Sequence, residues 1–247
     1  MGSLDGKVAV VTGAGGGIGS AIVAELAAGG ASVAAWDLDG DGAKRATDGL
    51  DGALDVEADV TSRASVEAAL AETERRLGPV SILVNNAGID QIERFLESSE
   101  PTWERIVAVN FLGTVRCCHV VVPGMVQRGR GAVVCIGSDA GRVGSSGEVV
   151  YSGTKGGVIA FAKALAREVA ASGVTVNVVC PGPTDTPLLD QVARASQKLY
   201  DGLARAVPMR RIARPADIAP AVAFFASDGA AYITGQTLSV SGGLTMA

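Results

Sequence analysis

With 247 residues, 48% hydrophobic side chains, 4% aromatics and 33 glycines, the chain can form one large or two small globular domains, rich in the small apolar residues that let helices cover a parallel sheet closely. A formal net charge of −5, dispersed without a basic stripe or an acidic tail, argues against a nucleic-acid partner. Cys117, Cys118, Cys135 and Cys180 have no CxxC spacing, which argues against a metal knuckle or a disulfide framework and for small buried hydrophobes in a reducing compartment.

Short β-rich apolar runs alternate with Ala-rich helical stretches along the chain. Val8 to Thr12 leads into a helix from about Gly17, Ser32 to Asp37 into one from about Gly42, and Ala53 to Ala58 into one from Ser62. The series continues with Ile82 to Val84, a helix from about Thr102, Ala132 to Ser138, a helix from about Tyr151, Thr175 to Cys180, a helix from about Pro215, and Thr237 to Val240. Seven strands alternating with helices predict an α/β fold with a doubly wound parallel sheet and helices on both faces. No linker long enough to divide the chain and no internal repeat is present, so residues 1–247 read as a single domain. The stretch 183–214 carries no strand pattern and follows a strand's carboxyl end, the place for a substrate lid.

No apolar run approaches the ~18 residues of a membrane span. No secretory signal pattern opens the chain, and a myristoylation match fails because Gly6 stands where Ser or Thr is required. A cytoplasmic protein with no membrane partner is expected.

Thr12-Gly13-Ala14-Gly15-Gly16-Gly17-Ile18-Gly19 joins the first strand to the first helix. In that context glycines let backbone N–H groups approach a pyrophosphate at a helix N-terminus. The strict GxGxxG spacing is not met, because Ile18 falls where the last Gly belongs, and no Gly-Lys-Ser/Thr follows to make a P-loop. Gly13, Gly15, Gly16, Gly17 and Ile18 are the candidate phosphate-binding residues. Asp37 ends the second strand with Leu38 after it; its carboxylate can accept from both hydroxyls of an adenosine ribose and would repel a 2′-phosphate. No Arg or Lys lies in the Gly-rich turn or directly after Asp37, so NAD is expected over NADP. The alternative for Asp37 alone is a solvated strand-end acid.

Tyr151 and Lys155 stand at i and i+4 in a predicted helix, thirteen residues after Ser138, so a phenol and an ammonium share one face. A nearby cation stabilises a phenolate and lowers the pKa of its tyrosine from ~10. Taken alone, the same spacing describes a solvated lysine beside a packed ring.

With Asp59-Val60, Asn85-Asn86-Ala87-Gly88, Asn110 and Pro181-Gly182 before Thr186 in the same order, the chain resembles the short-chain dehydrogenase/reductase family along nearly its whole length. The resemblance implies a single-domain Rossmann fold with strand order 3-2-1-4-5-6-7. It implies that Asp59 and Val60 contact adenine, that Asn86 and Gly88 lie along the cofactor, and that Pro181, Gly182, Thr184 and Thr186 hold the nicotinamide end. It implies that Tyr151 is the general base, Lys155 binds the nicotinamide ribose and lowers the Tyr151 pKa together with the oxidised ring, Ser138 fixes the substrate oxygen, and Asn110 holds a proton-relay water. A homotetramer built from the helices carrying Asn110 and Tyr151 and from the C-terminal strand is also implied.

The substrate-facing segments Ser138 to Glu148, Cys180 to Thr186 and Ser241 to Met246 resemble the branch of the family that oxidises 2-hydroxycyclohexanecarboxyl-CoA. Arg142, the only cation in its loop, is placed to meet an acyl carboxylate, a thioester-side group or a CoA phosphate, or else to pair with Glu148 or Asp139. Asp90 and Gln91 follow the Asn-Asn-Ala-Gly turn, where they either line the opposite wall or stay solvated. His119, the only histidine, is expected to be a packed or capped helix residue, leaving no Ser/His/Asp triad and no zinc site.

The expected function is NAD-dependent hydride transfer between a secondary alcohol and its ketone, on a 3-hydroxyacyl or alicyclic hydroxyacyl substrate carried as a CoA thioester. The alternatives are a 3-oxoacyl carrier-protein reductase, which in this family normally wants NADPH, and a non-catalytic dinucleotide sensor.

Overall fold

The computed structural model describes residues 4–186, 189 and 197–246. Seven strands form one sheet in the order β3-β2-β1-β4-β5-β6-β7, with every neighbouring pair parallel. They are β1 (Val8–Thr12), β2 (Ser32–Asp37), β3 (Ala53–Glu57), β4 (Ile82–Asn85), β5 (Gly131–Ile136), β6 (Val174–Pro181) and β7 (Thr237–Val240). The helices are α1 (Gly17–Ala28), α2 (Gly40–Thr47), α3 (Arg63–Leu77), α4 (Glu100–Val107), α5 (Thr114–Arg128), α6 (Ala140–Val143), α7 (Val149–Val169), α8 (Gln197–Ala206) and α9 (Pro215–Ala226). The α/β class, the strand order and the parallel Rossmann sheet agree with the sequence reading.

Strand alternation divides the interior into two cores. Val8, Val10, Trp36, Leu83, Val133 and Val176 project to the face covered by α3, α5 and α7. Ala9, Val11, Val33, Val84, Val134 and Val179 project to the face covered by α1 and α9. Because successive side chains point to opposite faces, strands buried on both sides must be apolar throughout, and β1 is buried at every position. The single large polar aromatic in this interior is satisfied: the Trp36 indole N–H donates to Thr73 Oγ1 at 3.0 Å.

Helix ends follow local chemistry. Ser62 caps α3 by accepting the Ser65 N–H at 3.3 Å, Gly129 ends α5 in the left-handed region at φ 68°, and Pro215 opens α9. The N-cap of α1 is Gly16, which has no side chain to offer, and the first turn of α1 holds no acidic residue. Its leading N–H groups are therefore left for an anion.

Glu100–Arg128 is helical throughout, joined by a π-helical turn over Ala108–Gly113. By length and composition this helix could cross a membrane, which corrects the expectation that no stretch reaches that length; α5 within it packs on β4, β5 and α3 as part of the core. Of the lid expected over 183–214, residues 187, 188 and 190–196 lie outside the described residues. On either side of them, Thr184 forms a parallel bridge with Ala213 and α8 runs from Gln197 to Ala206.

The Gly-rich turn tolerates no added carbon at its second contact. A Cβ at Gly19 would lie 2.1 Å from the Gly13 carbonyl oxygen, whereas one at Gly153 in α7 would meet nothing within 4 Å. Gly19→Ala should lower the melting temperature by about 5 °C or more, since overpacking costs roughly 1–3 kcal/mol. Gly153→Ala should leave it unchanged or raise it by a few degrees, through a helix-propensity gain of roughly 1 kcal/mol; equal effects of the two changes in a thermal melt would contradict this packing.

Candidate active site

The strand order reverses between β1 and β4, so their carboxyl ends open a crevice at that point. The Thr12 hydroxyl closes its floor, accepting the N–H groups of Asn86 and Ala87 at 3.0 Å each. The Asn86 amide reaches back to the Thr12 and Gly13 carbonyls at 3.0 and 2.9 Å. Gly13, at φ 62°, leaves no room for a side chain: its Cβ would lie 2.7 Å from Ala87 Cα. Gly15 is equally confined by Gly42 and donates its N–H to Asp37 Oδ2 at 2.8 Å, while Asp37 Oδ1 accepts from Asp39 N–H at 2.9 Å. The carboxylate at the end of β2 is thereby fixed over the Gly-rich turn, and Leu38 beside it is 69% exposed. Asp59 ties down its own turn through Thr61, and Val60 is buried against Gly113. On the other wall, the Thr184 hydroxyl donates to Gly182 O at 2.9 Å, and the Thr186 methyl lies 3.3 Å from where a Gly17 Cβ would be. Gly13 through Ile18, Asp37, Asn86 and Pro181 through Thr186 thus converge on one crevice. The uncapped α1 N-terminus and the glycines stripped of Cβ space form a cradle that fits a dinucleotide diphosphate.

Ser138 follows β5, and Tyr151 and Lys155 lie one above the other on α7. The Ser138 oxygen accepts the Ala140 N–H at 3.1 Å, and Ser138 acts to lower the Tyr151 pKa. Lys155 Nζ lies 5.6 Å from the Tyr151 ring centroid and donates to the Ile136 carbonyl at 2.8 Å. It is 4% exposed, and burial lowers its pKa to about 8, against smaller upward contributions from Cys180, Cys135 and Asp90. Burial likewise pushes the Tyr151 phenol above its ordinary value, opposed by Ser138 and reinforced by the acids Asp90 and Glu148. The lowering of the Tyr151 pKa that the family resemblance implies for Lys155 with an oxidised nicotinamide is thus opposed by burial of the phenol.

Asn110 sits in the π-helical turn, fully buried. Its side chain accepts the Ile89 N–H and donates to the Ile89 carbonyl, both at 2.8 Å. That pair of bonds fixes the loop after β4, including Gly88, whose absent Cβ would lie 3.4 Å from Lys155 Nζ. The wider turn presents Asn110 toward both the β4 loop and Thr154, at 3.4 Å; π-turns of this kind recur at functional sites.

Asp90 and Glu148 meet beside Tyr151, which the sequence did not pair, whereas Gln91 contributes its backbone N–H to Asp90 Oδ1 at 2.8 Å. Arg142 reaches Asp139, one of its two expected partners, through a serine. Its guanidinium donates to Ser239 Oγ on β7 at 2.6 Å, and Ser239 in turn donates to Asp139 Oδ1 at 2.5 Å. This bond draws Arg142 to a groove of about 620 Å³ shared with Lys163, Arg167 and Gln236, a separate place from the cleft that holds Tyr151 and Glu148. His119 is also corrected: it lies exposed on α5, with Nδ1 3.0 Å from an Arg63 nitrogen. Contributions that the sequence reading missed are the Thr12 hydroxyl, the Ile136 carbonyl and Gly19; the last was visible as the final glycine of the turn.

Burial, the Glu148 carboxyl and its charge raise Asp90 to about 7, against smaller opposing contributions from the Gln91 N–H and Lys155. An unfolded Asp ionises near 3.9, so between those values the folded chain holds a proton that the unfolded chain has released. Stability must fall as pH rises through that window and stay reduced above it. Asp90→Asn removes the cost: its melting temperature should gain on the parent by about 3 °C or more between pH 4.5 and pH 8, and a pH-independent difference would contradict this assignment.

The family described as Enoyl-(Acyl carrier protein) reductase matches residues 13–245. The chain is 41% identical over 246 residues to the 3-oxoacyl-[acyl-carrier-protein] reductase FabG of Escherichia coli (strain K12), covering 99% of each protein. It is 41% identical over 243 residues to the nodulation protein G of Azospirillum brasilense, covering 96% of this chain and 98% of that protein. It is 36% identical over 256 residues to the oxidoreductase UcpA of Salmonella typhimurium, covering 100% of this chain and 97% of that protein. With matches of this extent over a Rossmann sheet and a crevice flanked by Ser138, Tyr151 and Lys155, the chain belongs to the short-chain dehydrogenase/reductase family of oxidoreductases.

Proposed function

We propose that the protein is an NAD(H)-dependent oxidoreductase that interconverts 3-oxoacyl and 3-hydroxyacyl thioesters. The observation that carries the reaction is the Ser138–Tyr151–Lys155 cluster, its lysine buried, beside a crevice built for a dinucleotide. The thioester class is supported by the full-length likeness to 3-oxoacyl-[acyl-carrier-protein] reductases. That likeness favours an acyl-chain substrate over the alicyclic hydroxyacyl-CoA expected from the substrate-facing segments. Presence of all three polar residues of the cluster speaks against a non-catalytic sensor.

When bound, the nicotinamide supplies or accepts the hydride. The chain's own residues manage the proton. Tyr151 gives its phenolic proton to the substrate oxygen in reduction and takes it back in oxidation. Burial keeps that proton in place at neutral pH, which suits the phenol to act as an acid toward a ketone. Ser138 holds the oxygen beside the phenol and donates to it as negative charge develops. Lys155 spends one donor on the Ile136 carbonyl, leaving two for the nicotinamide ribose and for charge compensation of a Tyr151 phenolate. Asn110 fixes Ile89 and so sets the loop on the far side of the cleft; the relay water inferred for it belongs to this proposal.

The cofactor preference rests on Asp37. Its carboxylate is held at the end of β2 by Gly15 and Asp39 N–H groups, where it accepts ribose hydroxyls and meets a 2′-phosphate with like charge. A cytoplasmic homotetramer is the accompanying expectation from the family.

Acetoacetyl-CoA reduction followed by NADH absorbance tests the reading, and Tyr151→Phe should lower kcat/KM by about 1,000-fold while NADH binding persists. Full turnover by that variant would remove Tyr151 from the proton step. In fluorescence titrations NADH should bind about tenfold or more tightly than NADPH, and Asp37→Ala should shrink the gap to about threefold or less; tighter NADPH binding by the unaltered protein would reject the cofactor assignment.

A further inference from the structure

Asp139 follows Ser138 directly and stands at the N-cap of α6, where an aspartate ordinarily accepts the N–H of the second or third helical residue. Its side chain makes no such bond. Its backbone is already helical, at φ −60° and ψ −30°, whereas a capping residue is extended. The carboxylate turns instead to β7, where Oδ1 accepts the Ser239 hydroxyl at 2.5 Å. The Arg142 guanidinium donates to the same Ser239 oxygen at 2.6 Å, so the serine stands as acceptor and donor between a base and an acid. Asp139 is 5% exposed, and its Oδ2 is buried with no partner among the described residues. The Ser239 hydroxyl is therefore the one donor that the carboxylate meets among those residues.

With the carboxylate drawn away, the first N–H groups of α6 fall to Ser138. Its Oγ accepts the Ala140 N–H at 3.1 Å, and its carbonyl accepts the Gly141 N–H at 3.0 Å. The first of these bonds occupies a lone pair of the hydroxyl and leaves its single proton for the oxygen of a substrate. The helix itself has no slack: a Cβ on Gly141 would lie 2.6 Å from the Lys155 carbonyl carbon, and the Asp139 N–H donates to Pro181 O at 3.2 Å. A carboxylate released from Ser239 has its next donors in the Gly141 and Arg142 N–H groups. Capping them requires the Asp139 backbone to become extended, and that rotation swings the Ser138 carbonyl off Gly141.

We propose that Ser239 is a positioning residue for the reaction: by holding the Asp139 carboxylate at β7 it keeps that acid from capping α6, and so keeps Ser138 turned to donate its proton to the substrate oxygen. This rests on the reading of the protein as a carbonyl-reducing oxidoreductase in which Ser138 addresses the reacting oxygen. Ser239 acts through Asp139, and Arg142 supports it by donating to the serine oxygen, which directs the serine proton to the acid. A serine that merely packed β7 could be exchanged for a side chain of similar shape. One that restrains an acid cannot, unless the acid is removed with it.

The test measures NADH-dependent reduction of acetoacetyl-CoA and of ethyl acetoacetate, a ketone without a thioester, in the unaltered protein, Ser239→Thr, Ser239→Val and Asp139→Ala/Ser239→Val. Threonine and valine share one shape and differ in the hydroxyl, and both suit a strand. Ser239→Val should lower kcat by about tenfold or more on both ketones with NADH binding by fluorescence unchanged, because a misdirected donor at the reacting oxygen forfeits up to roughly 100-fold. Ser239→Thr should stay within about threefold of the unaltered protein, and the double variant, which has no acid left to restrain, should recover at least about threefold in kcat over Ser239→Val. Equal kcat for Ser239→Val and Ser239→Thr, or a double variant no faster than Ser239→Val, overturns the proposal. Ser239→Ala, alone and with Asp139→Ala, supplies the same comparison if the valine variant does not fold. Inert acetoacetyl-CoA with the expected pattern on ethyl acetoacetate would reject the thioester function and uphold the role of Ser239; inertness toward both ketones overturns both.

Discussion

The Thr12 hydroxyl accepts two backbone N–H groups from across the sheet, those of Asn86 and Ala87, and so locks the end of β1 to the end of β4. Everything functional in the molecule is hung from that junction. The Gly-rich turn leaves β1 there, and the Asn86 amide returns to the Gly13 carbonyl. Gly13 must then lie against Ala87, and Gly19 against Gly13, at separations where any side chain would collide. A crevice that is narrow in this way holds backbone donors close enough to address a phosphate directly. The same junction positions the loop that carries Gly88 and Asp90 opposite α7.

Burial has opposite consequences for the two partners on α7. Removing water raises the pKa of the Tyr151 phenol and lowers that of the Lys155 ammonium, because in each case the charged form is the one that suffers. At neutral pH the phenol therefore keeps its proton, while Lys155, at about 8, keeps its charge. Asp90 and Glu148 sharpen the effect, since their negative field opposes a phenolate.

Much of this was legible in the chain itself. The strand and helix sequence, the Gly-rich turn, Asp37 at the end of β2, and the Ser138, Tyr151 and Lys155 spacing are local patterns, fixed by the periodicity of side chains and by backbone freedom at glycine. Residues whose partner lies elsewhere in the chain were less readable. Arg142 was expected either to meet the substrate or to pair with Glu148 or Asp139; it joins Asp139 through Ser239, 97 positions away on β7. His119 was expected within the packing and instead faces outward beside Arg63. The π-helical turn at Asn110 is a one-residue widening of a helix, which leaves no distinct periodic signal.

The sequence by itself determined the order of elements, the two-faced apolar strands and the residue types of the site, because these depend on interactions within a few positions of the chain. Only the tertiary structure decided which groups share an environment. It put the Ile136 carbonyl under Lys155, Asp90 against Glu148, and the Asp37 carboxylate over the Gly15 N–H. Those pairings set desolvation and charge at the reacting groups, and both quantities are properties of what surrounds an atom in space.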